Sequence, residues 1–434
     1  MEPFFAIALF LFVLFLLLGS GVWIGLALLG VAYVGMEMFT SRPTGDAMMT
    51  VIWRSASSWS LTALPMFIWM GEILYRTRLS EDMFKGLAPW MGRLPGGLIH
   101  TNVAGCTIFA AVSGSSAATL TTVGKMTIPE LRKRNYPEHL TIGTLAGAAT
   151  LGLMIPPSLT LIVYGVAINE SITKLFIAGI IPGLVLAFLF TCYVVVISKV
   201  SKTYNPVIEP PLPFSEKIKR SRFLVPVLLL IVAVIGSMYL GIATATEAAA
   251  IGVLGSLALA AAQRTLTASN FFDSLMGATR TSAMIALILA GAAFLSLSMG
   301  FTGLPRALAE WIAAMELSRF ELLMVLLVFY IVLGCFLDGI SIVVTIAIVE
   351  PMIRQAGIDI IWFGIFVVVV VEMAQITPPI GFNLFVLQGM TKHSMSYIAR
   401  AALPMFLIML AMVFILIAFP ELATWLPENM RQTR

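Results

Sequence analysis

Charge is scarce in this chain: Asp, Glu, Lys and Arg make up 11% of its 434 residues, against about 25% in an ordinary soluble domain. So few charges cannot cover a surface that faces water, which excludes a soluble globular protein. The net charge of +4 is spread along loops and forms no basic stripe for nucleic acid. Cysteine is equally sparse. Cys106, Cys192 and Cys335 each lie in an apolar stretch with no CxxC pairing, which argues against a disulfide framework or a zinc site. The three histidines, His100, His139 and His393, are far apart and follow no metal-ligand spacing.

What is present instead is apolar residue, 59% of the chain, with a mean hydropathy of +0.99. Most of the surface must therefore face lipid or other helices. Runs of spanning length cover about 4–18, 21–36, 60–75, 173–198, 223–240, 243–262, 281–299 and 394–420. The first run follows Glu2 and has neither a basic leader nor a small-residue cleavage site, so it reads as a retained helix rather than a secretory signal. Shorter, interrupted apolar segments fill 96–112, 115–128, 139–154, 158–168, 319–336, 340–353, 361–376 and 380–391. Short or Pro/Gly-broken segments at matching places in two halves are the best sequence pointer to a transporter's binding site.

The halves do match. An offset of 222 residues superposes Pro129 on Pro351, Arg132 on Arg354, Pro156-Pro157 on Pro378-Pro379, Pro182 on Pro404 and Gly19 on Gly241. An offset of 225 aligns Ser113-Gly114 and Ser116 with Asp338-Gly339 and Ser341. The organisation expected is a first repeat over 1–198, a linker over 199–222 and a second repeat over 223–434. Each repeat holds a hairpin (about 96–128 and 319–353) and a broken helix (about 139–168 and 361–391). The linker carries Lys199, Lys202, Lys217, Lys219, Arg220 and Arg222, and basic loops stay cytoplasmic. Counting spans outward puts the basic loop 76–93 and Arg132-Lys133-Arg134 on that side, and their second-half equivalents on the other. The fold class expected is an all-α integral membrane protein of two inverted-topology repeats with paired re-entrant hairpins and broken helices.

Three kinds of element could carry chemistry. The hairpin tips are FAAVSGSSAAT (Phe109–Thr119) and CFLDGIS (Cys335–Ser341); their small residues would let backbone and hydroxyl oxygens approach an ion, or would serve a close helix interface. The double prolines of LGLMIPPSLTLIVYG and MAQITPPIGFNLFVLQG delete backbone donors and disfavour helix at the preceding residue. A break there frees carbonyls of Met154 and Ile155, and of Ile376 and Thr377, for a hard cation such as Na+, unless it is a mere kink. Buried charge is the third: Asp338, Glu372, Glu247 and Glu72 all interrupt apolar runs, at a cost of at least a few kcal/mol each at membrane depth. Glu247 and Glu72 could instead hold helix contacts, and Glu372 could lie near an interface. One sodium site per half follows: Ser113, Gly114, Ser115 and Ser116 with Met154 and Ile155, and Asp338, Gly339 and Ser341 with Ile376 and Thr377. Substrate would lie between the tips, near Ser116, Thr119, Pro157, Asp338, Pro379 and Asn383. Trp53, Trp90, Trp311 and Trp425 suit interfacial anchoring, and 78–92 and 303–316 look like amphipathic arms.

Taken together, GEILYRTRLSEDMF, AAVSGSSAATLTTVGKMTIPEL, GLMIPPSLTLIVYG, TATEAAAIG and ITPPIGFNLFVLQG resemble the large membrane subunit of tripartite ATP-independent periplasmic (TRAP) transporters, from about Leu64 to the C-terminus. One departure is Ala245, where the family usually has proline before the threonine. The resemblance implies an elevator-type, sodium-coupled importer of organic anions such as dicarboxylates, sialic acid or other sugar acids. It also implies an inner-membrane location, a separate small (Q-type) membrane subunit of about four helices and a soluble periplasmic binding protein, and no enzyme activity. A channel would want an oligomeric pore ring, and a membrane serine hydrolase built on Ser113, Ser115 or Ser116 would want a base within reach.

Overall fold

The computed structural model describes residues 3–200, 212–303, 307, 310, 315–334, 339–379 and 381–430. Among them there are helices and no strand. The first half runs α1 (Pro3–Gly19), α2 (Ile24–Phe39), α3 (Thr44–Ala56), α4 (Ala63–Tyr75), α5 (Leu79–Met91), α6 (His100–Ser113), α7 (Ser116–Lys133), α8 (Glu138–Thr150), α9 (Leu159–Ile168) and α10 (Ile172–Val200). The second begins with α11 (Phe214–Ser221), α12 (Val225–Tyr239), α13 (Ala245–Ala262) and α14 (Ala268–Thr302). It continues through α15 (Arg319–Gly334), α16 (Gly339–Val344), α17 (Ile346–Gln355), α18 (Ile360–Gln375), α19 (Phe382–Thr391), α20 (Met395–Ala418) and α21 (Glu421–Glu428).

Four helices, α10, α13, α14 and α20, are long and apolar enough to cross a membrane; α11 and α12 together reach that length but are bent by 53°. The run 60–75, expected as one span, is divided into a 3-10 turn at Trp59–Thr62 and the 13-residue α4. The run 281–299 is the end of a much longer helix, the 35-residue α14. The linker is not wholly irregular, since α11 occupies its last part.

The 222-residue offset reappears in the packing. α2 lies along α14, and its counterpart α13 lies along α4, which corresponds to the end of α14. α8 packs on α20 while α18 packs on α10, and α7 meets α19 while α16 and α17 meet α9. Each of these contacts between halves thus has a reciprocal partner, as two-fold pseudosymmetry requires.

The broken helices sit at the centre. Every residue of α8 from Leu140 to Thr150 and of α18 from Trp362 to Gln375 is buried. Close approach depends on small residues: a Cβ on Gly143 would stand 2.1 Å from the carbonyl of Ala401 on α20. Outside this core, large apolar side chains face outward from α1, α12, α13 and α14, among them Phe15, Val232, Leu254 and Phe272, as lipid contact demands. The arm α5 buries Leu79, Met83 and Leu87, spaced by four, against α6 and α11. Its expected counterpart at 303–316 lies largely outside the described residues, as does Trp311. Trp53, Trp90 and Trp425 are exposed.

Candidate functional site

The first hairpin tip follows from four residues. α6 stops where Gly114 turns left-handed (φ +63°) and gives its N–H to Ala110 (3.2 Å). Ser115 is extended, and its hydroxyl accepts the N–H of Ala118 (3.4 Å), capping α7. The Ser113 and Thr119 hydroxyls lie 2.8 Å apart, and Thr119 donates to the Ser115 carbonyl (2.8 Å). This tip is seated on the first proline break. Beyond the 3-10 turn Leu151–Leu153, Ser158 caps α9 by accepting from Leu161 N–H (3.2 Å) and donates to the Leu153 carbonyl. The Gly114 carbonyl accepts the N–H of Leu159 (3.2 Å). A Cβ on Gly114 would meet the Pro157 carbonyl at 2.5 Å, and one on Gly152 the Ser115 carbonyl at 2.7 Å. The Met154 carbonyl faces elsewhere, toward Gly179 of α10, where a Cβ would approach it to 2.6 Å. Ile155 is buried.

In the second half Asp338 lies outside the described residues. Gly339 opens α16 against α18: a Cβ there would be 2.7 Å from Val371 Cγ1 and 3.0 Å from Gln375 Nε2. Ser341 is buried. α18 ends at Gln375, the hydroxyl of Thr377 donates to the Met373 carbonyl (2.6 Å), and Ile376 N–H does so at 3.1 Å. The Thr377 carbonyl folds toward Gly381. Both Pro-Pro bonds are cis. The two breaks are unequally enclosed: Pro156 and Pro157 are buried, Pro378 and Pro379 exposed.

The halves meet at two helix starts. Ser116 is the first residue of α7 and Asn383 the second of α19; both are buried. The Ser116 hydroxyl lies 2.9 Å from Asn383 Oδ1 and 2.7 Å from Asn383 Nδ2. The positive ends of two helices therefore converge on one point. Thr119 bonds Ser113 and Ser115 within the tip and not this pair, Pro157 is beneath the tip, and Pro379 is exposed.

The charges sort differently from their sequence reading. Glu247 is exposed and closes a capping box with Thr244 at the start of α13, so it is no buried charge. Its apolar neighbours in sequence hid a helix N-terminus. Glu72 is half-buried and pairs with Arg76 one turn on. Glu372 is 0% exposed in the middle of the bundle, and among the described residues neither carboxylate oxygen has a hydrogen-bond partner; this places it in the core rather than at an interface. Two contacts escaped sequence reasoning. Gln375 sets its amide beside the second tip, and Tyr164 of α9 donates to the carbonyl of Ile360 at the start of α18; a polar group just ahead of a proline break was the available signal for the first.

A serine hydrolase has no support here. The tip serine Ser113 bonds Thr119, His100 Nε2 lies on the Pro95 carbonyl (2.7 Å) and His139 stands edge-on to Tyr397. Among the described residues no three His, Cys, Asp or Glu side chains gather as a metal site.

The sequence matches the family model of the tripartite ATP-independent periplasmic transporter, DctM component, over residues 9–422. The match starts well before Leu64, where the recognisable motifs begin. The C4-dicarboxylate TRAP transporter large permease protein DctM of Pseudomonas aeruginosa is 32% identical over 379 residues, 87% of this chain and 88% of that protein. The isethionate TRAP transporter permease protein DctMQ of Oleidesulfovibrio alaskensis is 31% identical over 95% of this chain; the chain spans only 64% of that relative's length. Among solved structures, the Alcanivorax borkumensis YdaH transporter, described as having an unusual topology, shares the fold with a TM-score of 0.64 at 14% identity, covering 94% of this chain and 97% of that one. These matches make it a multi-pass membrane transporter component and not an enzyme: the chain belongs to the DctM family, the large permease of tripartite ATP-independent periplasmic transporters.

Proposed function

We propose that this chain is the translocating subunit of a sodium-coupled importer for a small organic anion, residing in the bacterial inner membrane. The observation that carries this reading is the meeting of Ser116 and Asn383 at the starts of α7 and α19. Two helix N-termini and a hydroxyl–amide pair form an environment suited to a carboxylate or sulfonate, at the interface of two repeats where such sites occur. The relatives are named for C4-dicarboxylates and isethionate, both anions; a sialic acid or other sugar acid has the same carboxylate chemistry. Substrate displaces the Ser116–Asn383 contact and takes both groups as ligands.

Sodium ions travel as co-substrates. The first is held by oxygens of the Ser113–Ser116 tip with backbone carbonyls around the first break, where Met154 supplies less than its neighbours because it faces α10. The second is held by Asp338, Gly339 and Ser341 with carbonyls of Ile376 and Thr377. The repeats are inverted, spanning 1–198 and 223–434 about a cytoplasmic linker at 199–222. The hairpins and broken helices move together against a scaffold of α2, α4, α13 and α14 as an elevator. A small membrane subunit of about four helices braces that scaffold, and a soluble periplasmic protein delivers the substrate.

Reconstitution tests the reading. The chain, its small subunit and its binding protein in proteoliposomes are expected to accumulate labelled C4-dicarboxylate or isethionate only under an inward sodium gradient. Equal uptake without that gradient, or full uptake by the chain alone, overturns it.

A further inference from the structure

The junction of α11 and α12 is built differently from any part of the transport path. α11 leaves the axis of α12 by 53°, and it is pinned to the arm α5 from below. Lys217 is buried with its ammonium over the Trp90 ring (5.6 Å), Trp90 Nε1 donates to the Ser221 hydroxyl (2.8 Å), and Phe214 meets Trp90 edge-on. The two elements thus form one rigid shelf where a helix turns into an apolar span.

On this shelf is a cavity of about 440 Å³, lined by Pro213, Ser215, Glu216, Lys219, Arg220, Arg222 and Phe223. Three of these side chains are cationic and one is anionic. The Glu216 carboxylate is taken by Arg220 (2.7 Å), and among the described residues neither Lys219 nor Arg222 has a carboxylate partner. The cavity is therefore a cationic recess. The apolar residues of α11 lie on its other face, and they and the start of α12 are open: Phe214 is 67% exposed, Ile218 53% and Leu229 64%. A charged recess at the mouth of an apolar, outward-facing helix reproduces the profile of a phospholipid, phosphate above and acyl chains below.

We propose that this recess binds the headgroup of an anionic phospholipid. The phosphodiester is held by Lys219 and Arg222, and the acyl chains lie along Phe214, Ile218 and the exposed face of α12. Two cations without a carboxylate partner among the described residues distinguish anionic lipid from zwitterionic lipid, whose own choline would be repelled. A free inorganic phosphate would meet the same cations but has nothing to place against the apolar flank.

Native mass spectrometry of the detergent-purified full chain tests this, with dioleoyl-phosphatidylglycerol, dioleoyl-phosphatidylcholine and inorganic phosphate as probes. Phosphatidylglycerol is expected to be retained over phosphatidylcholine, and the double variant Lys219→Gln with Arg222→Gln should weaken that retention at least about tenfold. The charge-keeping exchange Lys219→Arg with Arg222→Lys should retain it, and so should Lys133→Gln, a neutralised cation elsewhere. The inference is overturned by equal retention of the two lipids by the unaltered chain, or by unchanged retention in the double glutamine variant. It is also overturned if Lys133→Gln weakens retention as much, or if inorganic phosphate displaces phosphatidylglycerol.

Discussion

The Ser116 hydroxyl touches both ends of the Asn383 amide, 2.9 Å from Oδ1 and 2.7 Å from Nδ2, although 267 residues separate the two. Neither residue has access to solvent worth the name, so each depends on the other. Removing one leaves a buried polar group unpaired, at about 1–3 kcal/mol. Asn383→Ala and Ser116→Ala are each expected to lower substrate uptake about tenfold or more. The double variant should be little worse than either single one, because both delete one joint contact. Additive losses in proteoliposome uptake would show that the residues act apart.

Gly114 tests the seating of the first tip. Its φ of +63° disfavours any side chain by about 1–2 kcal/mol, and a Cβ would lie 2.5 Å from the Pro157 carbonyl, which is backbone and cannot swing aside. Gly114→Ala is expected to destabilise the purified protein by about 2–4 kcal/mol and to abolish uptake. A melting temperature and uptake equal to those of the unaltered chain would mean that the tip is not seated on the break.

Much of this arrangement was legible beforehand because it rests on residues with strong backbone preferences. Gly114, Ser115 and the two Pro-Pro pairs stop and start helices wherever they stand, so the hairpin and both breaks were readable from the chain. The 222-residue offset was readable for the same reason, since it was carried by prolines. What needed the structure was direction. Met154 and Ser113 both offer oxygens by type, yet only packing decides that Met154 faces Gly179 while Ser113 faces Thr119. Glu247 was misplaced because an alanine-rich run looks the same whether it begins at a cap or continues through a membrane; Thr244, three residues earlier, was the overlooked sign. Ser116 and Asn383 were both named around the substrate, but the direct bond between them was not, since no local pattern links residues so far apart.

Topology yields a third prediction. The proposed cytoplasmic side of the linker rests on the basic residues around 199–222, and Ser215 on α11 is exposed. In a background with the native cysteines replaced, Ser215→Cys is expected to react with an impermeant maleimide in inside-out vesicles and not in cells with a permeabilised outer membrane. The opposite pattern would invert the assignment of every loop and with it the side from which substrate enters.

The proposed second ion site gives the last prediction. Asp338 stands inside the apolar run IVLGCFLDGISIVV, immediately before Gly339, whose backbone abuts Gln375 and Val371 of α18. A carboxylate placed in such a run costs at least a few kcal/mol unless a cation or strong donors meet it, and a hard cation prefers hard oxygens. Thr377 offers a hydroxyl oxygen and a carbonyl near the same helix end, and Pro378 and Pro379 beside it are open to the outside of the bundle, so an ion could reach this break more readily than the buried first one. Asp338→Ala is expected to remove sodium-driven uptake while membrane insertion, yield and association with the small subunit stay unchanged. Asp338→Asn keeps an oxygen ligand and loses the charge, so it should raise the sodium concentration needed for half-maximal uptake about tenfold or more, with little effect on stability. Uptake by both variants with the sodium dependence of the unaltered chain would remove Asp338 from the ion site, and the carbonyls of Ile376 and Thr377 would then need another anionic partner.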